Sequence, residues 1–209
     1  LRNQVRHPPM LRRILLATAV FGAWTSLALA DVSMNTQSAP KGAYEQNSDH
    51  TVVGFCTSHM ELSTYCGRFD KTTAKLTFNG SQPERSTVTA TIDLSSVNTP
   101  SAELNDKLRK ELFRNGSTAT FTSTEVKLNG KNEGTVTGNL AINGVTKPVT
   151  LKVKFNGGEP FPFGDKYVLG FSATTAFKRS DFGLTDMVGA QFAGDDVSLQ
   201  IDIEFLQVK

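Results

Sequence analysis

The two cysteines of this sequence are candidates for functional chemistry. Cys56 and Cys66 are the only cysteines of the chain. If a hairpin turns near Glu61, the two lie opposite each other on neighbouring strands, so we predict a cross-strand disulfide, which requires an oxidising compartment. The alternative is a pair of buried free thiols. Neither a CxxC spacing nor a neighbouring histidine array indicates redox or metal chemistry.

Three polar residues, His59, Arg179 and Asp181, continue runs in which apolar residues alternate with polar ones. This period of two predicts that all three face the interior of the fold. A buried arginine or carboxylate is costly unless it is paired, so we expect an Arg179–Asp181 pair or a bound polar group. The three could receive a phosphate, amide or quinone oxygen of a ligand. The alternatives are a structural ion pair, or a bulge near Ser180 that turns one side chain outward.

The sequence lacks the motifs of the common enzyme classes. After residue 30 it keeps two histidines, His50 and His59, and it contains no GxSxG, HExxH, P-loop or dinucleotide-binding glycine motif. A hydrolase that uses His59 with Asp181 is the least favoured interpretation. We therefore predict a protein that is not an enzyme and that has no metal site and no covalent cofactor.

The N-terminal segment has the features of a secretion signal. Arg12 and Arg13 precede an apolar run that ends in the small-residue site at 28–30, which suits cleavage after Ala30. We expect residues 1–30 to be removed on export to the periplasm or outside the cell, with residues 1–9 as an upstream extension. A permanent spanning helix is the weaker alternative. Residues 31–45 are predicted to be a flexible leader, and residues 46–209 a single domain.

The charge of the mature chain excludes one class of partner. The whole chain has a formal net charge of +2 from 22 basic and 20 acidic residues. Removing residues 1–30 takes away four arginines and no acid, which leaves a charge of about −2. The remaining lysines are scattered singly, so the basic stripe that nucleic acids require is absent from the sequence.

A period of two dominates the sequence after residue 50 and predicts β-strands. Asn143-Gly144 separates two such stretches and is a strong hairpin signal. We count eight or nine strands, which is enough to close a barrel with room for one ligand, as in lipocalins. The alternating apolar positions include Val53 and Phe55, Leu76 and Phe78, Val88 to Leu94, Val136 to Ile142, Val149 to Phe155, Leu169 to Phe177, and Val197 to Phe205.

One segment has the pattern of an α-helix. Thr99-Pro100 offers an N-cap with proline in the first turn, and leucines recur every four residues at Leu104, Leu108 and Leu112. The helix is expected to lie outside the sheet or over one end of it. Strands at hairpin spacing with one helix favour an antiparallel sandwich or barrel.

Several stretches resemble the YceI family of polyisoprenoid-binding exported proteins. Residues 55–60 and 63–69 resemble the opening hairpin of that family, 138–149 its central hairpin, 177–183 its late signature, and 194–197 the start of its final strand. The resemblance extends from about residue 49 to residue 204. The chain differs from the usual family pattern at Asn47, at Thr51 and at the helix end Glu111-Leu112-Phe113, and these differences concern the length and head group of the ligand.

The resemblance implies an all-β, eight-stranded antiparallel, lipocalin-like barrel with extra short strands and one α-helix. In this family the barrel encloses a long isoprenoid lipid, such as a polyprenyl chain or a quinone tail, for carriage, storage or stress protection. Further expectations from the family are transient membrane contact, a cytochrome b561-like membrane partner and a homodimer. The alternative is a stress-related interaction module whose barrel is solid.

A phenylalanine-rich interior suits a slot for a flexible apolar chain. Thirteen of the fourteen phenylalanines follow residue 30, whereas the single tryptophan, Trp24, lies in the signal. Burial of a lipid could be driven by its methylenes alone, although the same phenylalanines could fill a solid core. The residues predicted to contact the lipid are Phe55, His59, Phe69, Phe78, Phe121, Leu140, Phe171, Phe177, Arg179, Asp181 and Phe182.

Overall fold

The computed structural model describes residues 32–114, 116–186, 189 and 192–209. The predicted signal segment, residues 1–30, lies outside the described residues. The described part contains ten strands in one antiparallel sheet: β1 (Gly42–His59), β2 (Ser63–Phe69), β3 (Thr72–Phe78), β4 (Thr87–Asp93), β5 (Val97–Asn98), β6 (Thr118–Leu128), β7 (Glu133–Ile142), β8 (Val145–Pro160), β9 (Tyr167–Lys178) and β10 (Ala193–Gln207).

The sheet closes into a barrel. The strand order is β10-β9-β8-β7-β6-β4-β3-β1-β2-β5, and β10 also pairs with β1. Along one edge of β1, both halves of that strand pair with β10. Along the other edge, the first half of β1 pairs with β3 and the second half with β2, so that β2 and β3 act as one bent strand. The short β5 pairs with β2 and extends the line of β4. Eight strands therefore form the ring, which confirms the predicted fold class.

The period of two in the sequence matches the inside and outside of the barrel. In β8, Val149 and Phe155 are buried while Lys152 and Lys154 are exposed. The turn between β7 and β8 places Asn143 and Gly144 at φ values of 55° and 79°. Two successive positive φ angles define the turn type that Asn-Gly favours, so this hairpin is confirmed.

The helix is shorter than predicted. α1 spans Ala102–Lys107 and continues as a π-helical turn over Leu108–Leu112. Its N-cap is Ser101, whose hydroxyl accepts a hydrogen bond from the Leu104 amide at 3.2 Å, and not Thr99. Thr99 is buried and its amide donates to the Asn105 side chain at 2.8 Å, which holds it in the approach to the helix. The helix lies over one end of the barrel, which is one of the two positions predicted for it.

Residues 32–45 pack against the barrel or belong to it, so the prediction of a flexible leader over residues 31–45 is wrong for these residues, whereas residue 31 lies outside the described ones. Ser33 forms a two-way backbone bridge with Gly158, Ala39 is buried, and β1 already begins at Gly42. Tyr44 is only 1% exposed. The segment is mostly polar, which is why its sequence predicts a flexible leader. Its few apolar side chains nevertheless cover one end of the barrel.

The two halves of the barrel are packed differently. The helix end carries α1, the β1–β2 and β7–β8 turns and the segment between β9 and β10, while the opposite end carries the β3–β4, β6–β7 and β8–β9 connections. At the opposite end, five aromatic rings contact one another with centroids 5.2 to 6.3 Å apart. We call this cluster the aromatic plug; it consists of Tyr44, Phe78, Phe155, Phe171 and Phe205.

The phenol of Tyr44 gives the plug a pH dependence. Burial raises the pKa of Tyr44 from 10.0 to about 12, and its hydroxyl donates a hydrogen bond to the Pro40 carbonyl at 2.7 Å. A group whose pKa is higher in the folded protein stabilises the fold below the pKa of the unfolded chain. That stability is lost as the pH rises from about 10 to 12.

Tyr44→Phe should therefore change stability in a pH-dependent way. At pH 8 we expect the variant to be less stable by about 1 kcal/mol, because it lacks the hydrogen bond to Pro40. By pH 11 the difference should shift by about 1.4 kcal/mol against the wild type, so that the variant becomes slightly the more stable of the two. Urea unfolding at several pH values measures both quantities. A difference that stays constant from pH 8 to 11 would contradict the assigned pKa.

Candidate functional site

A cavity of about 610 Å³ lies in the helix half of the barrel. Its walls are the inward side chains of β1, β2, β9 and β10, the ends of β6 and β7, and the helix-bearing segment that lies over them. Ligand pockets of small molecules and cofactors usually measure about 300 to 1,000 Å³, so this cavity has the size of a binding site. The barrel is therefore not filled to its centre in this half.

The inner wall of the cavity is apolar. From the strands, Phe69, Leu140 and Phe177 face it, and from the helical segment Leu108 and Leu112 do so. Phe55 lies beside Phe69 with ring centroids 5.2 Å apart. A ligand binds to such a wall because binding removes apolar surface of both from water, so the cavity favours an apolar ligand.

The polar lining residues are concentrated near the end of β1. Ser58, His59 and Tyr65 lie at the β1–β2 hairpin, and the Tyr65 hydroxyl is 3.4 Å from the hydroxyl of Thr99. His59 is exposed and lies opposite Ala193 of β10. The cavity thus has an apolar interior and a polar mouth, as a site for an amphipathic molecule requires.

Arg179 is the charged residue of this mouth and is only 6% exposed. Its guanidinium donates to three carbonyl oxygens, those of Asp186 at 2.8 Å, Gly194 at 3.1 Å and Ala193 at 3.3 Å. Burial lowers the pKa of Arg179 from its ordinary value, and the nearby carboxylate of Asp195 partly offsets that effect. An arginine remains charged despite such a shift, so the mouth holds a buried positive charge.

The carboxylate of Asp195 holds the residue that follows Arg179 in place. Ser180 donates to Asp195 through its backbone amide at 2.9 Å and through its hydroxyl at 2.7 Å. These two hydrogen bonds lower the pKa of Asp195 because they stabilise the charged form. The start of β10 is thereby tied to the end of β9, next to Arg179.

The inward orientation predicted for Asp181 is wrong, and so is its pairing with Arg179. β9 ends at Lys178, and the chain turns through a 3₁₀ helix at Arg179–Phe182 before Gly183 at φ 71°. The alternation of a strand no longer applies after this turn. Asp181 is exposed and accepts a hydrogen bond from the Lys147 ammonium at 2.7 Å.

The other predicted contact residues fall into three groups. Phe78 and Phe171 belong to the aromatic plug and line a separate cavity of about 100 Å³ at the opposite end. Phe121 and Phe182 are buried in the core that surrounds the large cavity but do not line it. The residues that do line the large cavity are Phe55, His59, Phe69, Leu140, Phe177 and Arg179.

The aromatic plug limits the slot that the phenylalanine-rich interior predicts to one half of the barrel, since the same residue type fills the other half. Side chains from β1, β3, β8, β9 and β10 meet across the far half of the barrel and bury one another. Among the described residues, the plug lies between the large cavity at the helix end and the small cavity at the opposite end. The plug therefore forms the floor of the large cavity.

Sequence reasoning missed part of the cavity wall. The spacing of the leucines in the helical segment predicts a helix, but it does not show what the helix covers. Leu184 and Phe192 lie between strands, where no period identifies an inward residue. Val53, Val197 and Leu199 were identifiable, since their strand parity is inward.

The predicted disulfide is confirmed. Cys56 and Cys66 are bonded, lie opposite each other in the β1–β2 register, and have Cα atoms 4.1 Å apart. They sit on the outer face of the hairpin, whose inner face carries Phe55 and Phe69. The disulfide thus fixes the hairpin that forms the mouth without occupying the cavity.

The described residues form neither a metal-binding cluster nor a membrane-spanning helix. No group of three or more histidine, cysteine, aspartate or glutamate side chains in the described ranges is arranged to hold a metal ion. Among the same residues, no helix has the length and hydropathy needed to cross a membrane.

Comparison with known proteins agrees with this architecture. The model of the YceI-like domain family matches residues 44–205. Protein YceI of Salmonella newport is 38% identical over 186 residues, which cover 87% of this chain and 95% of that protein.

Two solved structures share the fold. The YCEI protein of Campylobacter jejuni superposes with a TM-score of 0.65 at 27% identity, covering 73% of this chain and 90% of that one. A polyisoprenoid binding domain from Saccharophagus degradans superposes with a TM-score of 0.59 at 18% identity, covering 79% and 98%. The sequence matches and the closed barrel lead to the same assignment: this chain belongs to the YceI-like domain family.

Proposed function

We propose that this protein is an exported binding protein that holds an isoprenoid lipid in the helix half of its barrel. The observation that carries the proposal is the cavity of about 610 Å³ with apolar walls and a polar mouth. The described polyisoprenoid binding domain of Saccharophagus degradans has the same fold, which supports this class of ligand. The signal-like N-terminus supports export, to the periplasm or to the outside of the cell.

The geometry favours one orientation of the lipid. The isoprenoid tail lies between Phe69, Leu140 and Phe177, with its end against the aromatic plug. Each methylene buried there contributes about 0.8 kcal/mol, part of which is offset by the ordering of the chain. The polar head group, an alcohol, phosphate or quinone oxygen, lies at the mouth near His59 and Arg179.

The site is better suited to binding than to catalysis. The Arg179 guanidinium already donates to three carbonyls. A hydrolase would need Asp181 next to His59, but Asp181 lies outside the barrel and contacts Lys147. The His59–Asp181 hydrolase therefore has no geometric support. Carriage and storage need only reversible burial of the lipid, which this cavity offers.

Mass spectrometry of an organic-solvent extract of the purified protein tests the proposal. The protein is expressed with its N-terminal segment, purified without detergent and extracted, and a matched protein of the same host serves as the blank. A prenyl lipid present in near-stoichiometric amount is the expected result. An extract that contains no prenyl lipid, together with no uptake of a long-chain prenol in vitro, would refute lipid carriage.

Arg179→Met tests the proposed orientation. We expect binding of a prenyl phosphate to weaken roughly tenfold, because the buried positive charge at the mouth is lost. Binding of a hydrocarbon of the same length should change much less. Arg68→Met is the matched control, since Arg68 is an exposed arginine on the outer face of β2, bonded to Asp70. Equal losses for both ligands would mean that Arg179 has only a structural role.

A further inference from the structure

Three exposed apolar side chains lie at one edge of the mouth of the cavity, beside its polar residues. Leu62 is 82% exposed, Phe192 57% and Met60 45%. Met60 and Leu62 lie in the β1–β2 turn, and Phe192 directly precedes β10. We call these three residues the apolar rim. Isolated exposed apolar residues are common on proteins, but a group at the opening of a cavity indicates a contact surface.

The rim is one surface because its two segments are bonded to each other. The Met60 amide donates to the Phe192 carbonyl at 2.9 Å, and His59 pairs with Ala193 across the β1–β10 ladder. Met60 and Phe192 also line the cavity, so their side chains are shared by its inner wall and its outer edge. An apolar path therefore leads from the cavity to the surface.

The backbone of the rim is held in an unfavourable conformation. Met60 and Glu61 have φ values of 54° and 58°, in the left-handed region that side-chain-bearing residues seldom adopt. A two-residue turn of this kind normally uses asparagine or glycine. Strain of this sort persists where the surroundings enforce it and is concentrated at functional sites. Here the Cys56–Cys66 disulfide and the bond to Phe192 keep the turn in place.

From these observations we propose that the apolar rim docks on the surface of a lipid bilayer, with the mouth of the cavity facing the membrane. This inference rests on the proposed function, since an isoprenoid must enter and leave the cavity through apolar surroundings. A lipid tail that moved through water would expose all of its methylenes at once. Docking by the rim lets the tail pass from the bilayer into the cavity along Met60 and Phe192.

The charges around the mouth favour docking by apolar contact over docking by a basic patch. Lys178 pairs with Asp196, and Arg114 pairs with Asp186. The carboxylate of Asp195 is engaged by Ser180. Because these cations face nearby carboxylates, the attraction to anionic lipids is weak and the binding should depend little on salt.

Vesicle flotation with matched variants tests the proposal. The probe is a phosphatidylcholine vesicle, with a second series that contains phosphatidylglycerol. The rim variant Leu62→Ser should float roughly tenfold less than the wild type, since it removes an exposed side chain that the bilayer would bury and that does not line the cavity. Phe163→Ser is the control, because Phe163 is 86% exposed in the β8–β9 connection at the opposite end of the barrel. Its flotation should equal that of the wild type.

The outcomes separate this inference from the function on which it rests. The rim variant should keep its co-purified lipid but transfer a prenyl probe between vesicles about tenfold more slowly, in line with its loss of flotation.

Flotation of the rim variant equal to that of the wild type, or an equal loss in Phe163→Ser, would overturn the docking surface while leaving lipid binding intact. A rim variant whose only change is a smaller mass in solution would mean that the rim joins two copies of the chain, which also overturns it. Lipid-free protein that still floats would refute the proposed function and not the docking.

Discussion

Replacing Leu199 with tryptophan should nearly abolish lipid binding while leaving the fold intact. Leu199 is an inward residue of β10, opposite Phe55 of β1 and Thr175 of β9, and it lines the large cavity. The indole adds six heavy atoms to the space that the lipid would occupy and displaces about four methylenes. At about 0.8 kcal/mol for each methylene, the affinity should fall on the order of a hundredfold.

The neighbouring residue supplies the control for this substitution. Gln200 is exposed on the outer face of the same strand, so Gln200→Trp adds an identical side chain outside the cavity. We expect this variant to carry wild-type amounts of lipid. Both variants are compared by extract mass spectrometry and by urea unfolding. Full lipid content in a folded Leu199→Trp protein would show that the lipid does not occupy this cavity.

Removing the disulfide should produce the largest loss of stability. The Cys56–Cys66 bond closes a short loop, with ten residues of sequence separation, in the β1–β2 hairpin. By the chain-entropy model, a loop of this length gives about 3 kcal/mol of stability, because the cross-link restricts the unfolded chain. The left-handed turn at Met60 and Glu61 makes the hairpin depend further on this constraint.

The double variant Cys56→Ser/Cys66→Ser measures this contribution. Its urea midpoint should fall by the amount that corresponds to about 3 kcal/mol, and reduced wild-type protein should behave in the same way. Reductant should have no effect on the variant, which serves as the control. Because the cysteines lie on the outer face, the lipid content of the folded variant should be unchanged. Equal midpoints for oxidised wild type and variant would contradict the prediction.

The strand pattern made the barrel predictable. Where one face of a strand is buried, a shift of one residue would move every side chain to the wrong face, so the alternation must appear in the sequence. This is why the sequence alone predicts the orientation of Phe55, Phe177 and Val197. The disulfide followed from the same parity, because Cys56 and Cys66 are outward residues of one hairpin.

The same rule failed where the strands ended. Asp181 has the parity of an inward residue, but β9 stops three residues earlier and a 3₁₀ turn reverses the relation. Thr99 has the side chain of an N-cap, yet its hydroxyl accepts from the Ser101 amide, its own amide donates to the Asn105 side chain, and Ser101 caps the helix. Local patterns predict the interior of an element well, whereas its ends depend on contacts with other parts of the chain.

The binding site was predictable only in part. Six of the proposed contact residues line the cavity, and all six lie in the helix half of the barrel or at its mouth. Phe78 and Phe171 have the same inward parity in the sequence but fill the far half of the barrel. A phenylalanine that faces inward has the same sequence pattern whether it borders a cavity or meets another ring across the barrel.

The sequence by itself determined the strands, their inward and outward faces, the hairpin at Asn143-Gly144 and the partner of each cysteine. These depend on neighbours along the chain or on a single paired strand. Only the tertiary structure decided that the aromatic plug fills one half of the barrel, that α1 covers the other, and that Met60, Leu62 and Phe192 come together at the mouth. Those features arise where side chains from distant strands and connections meet, and their packing depends on distances that no periodicity records.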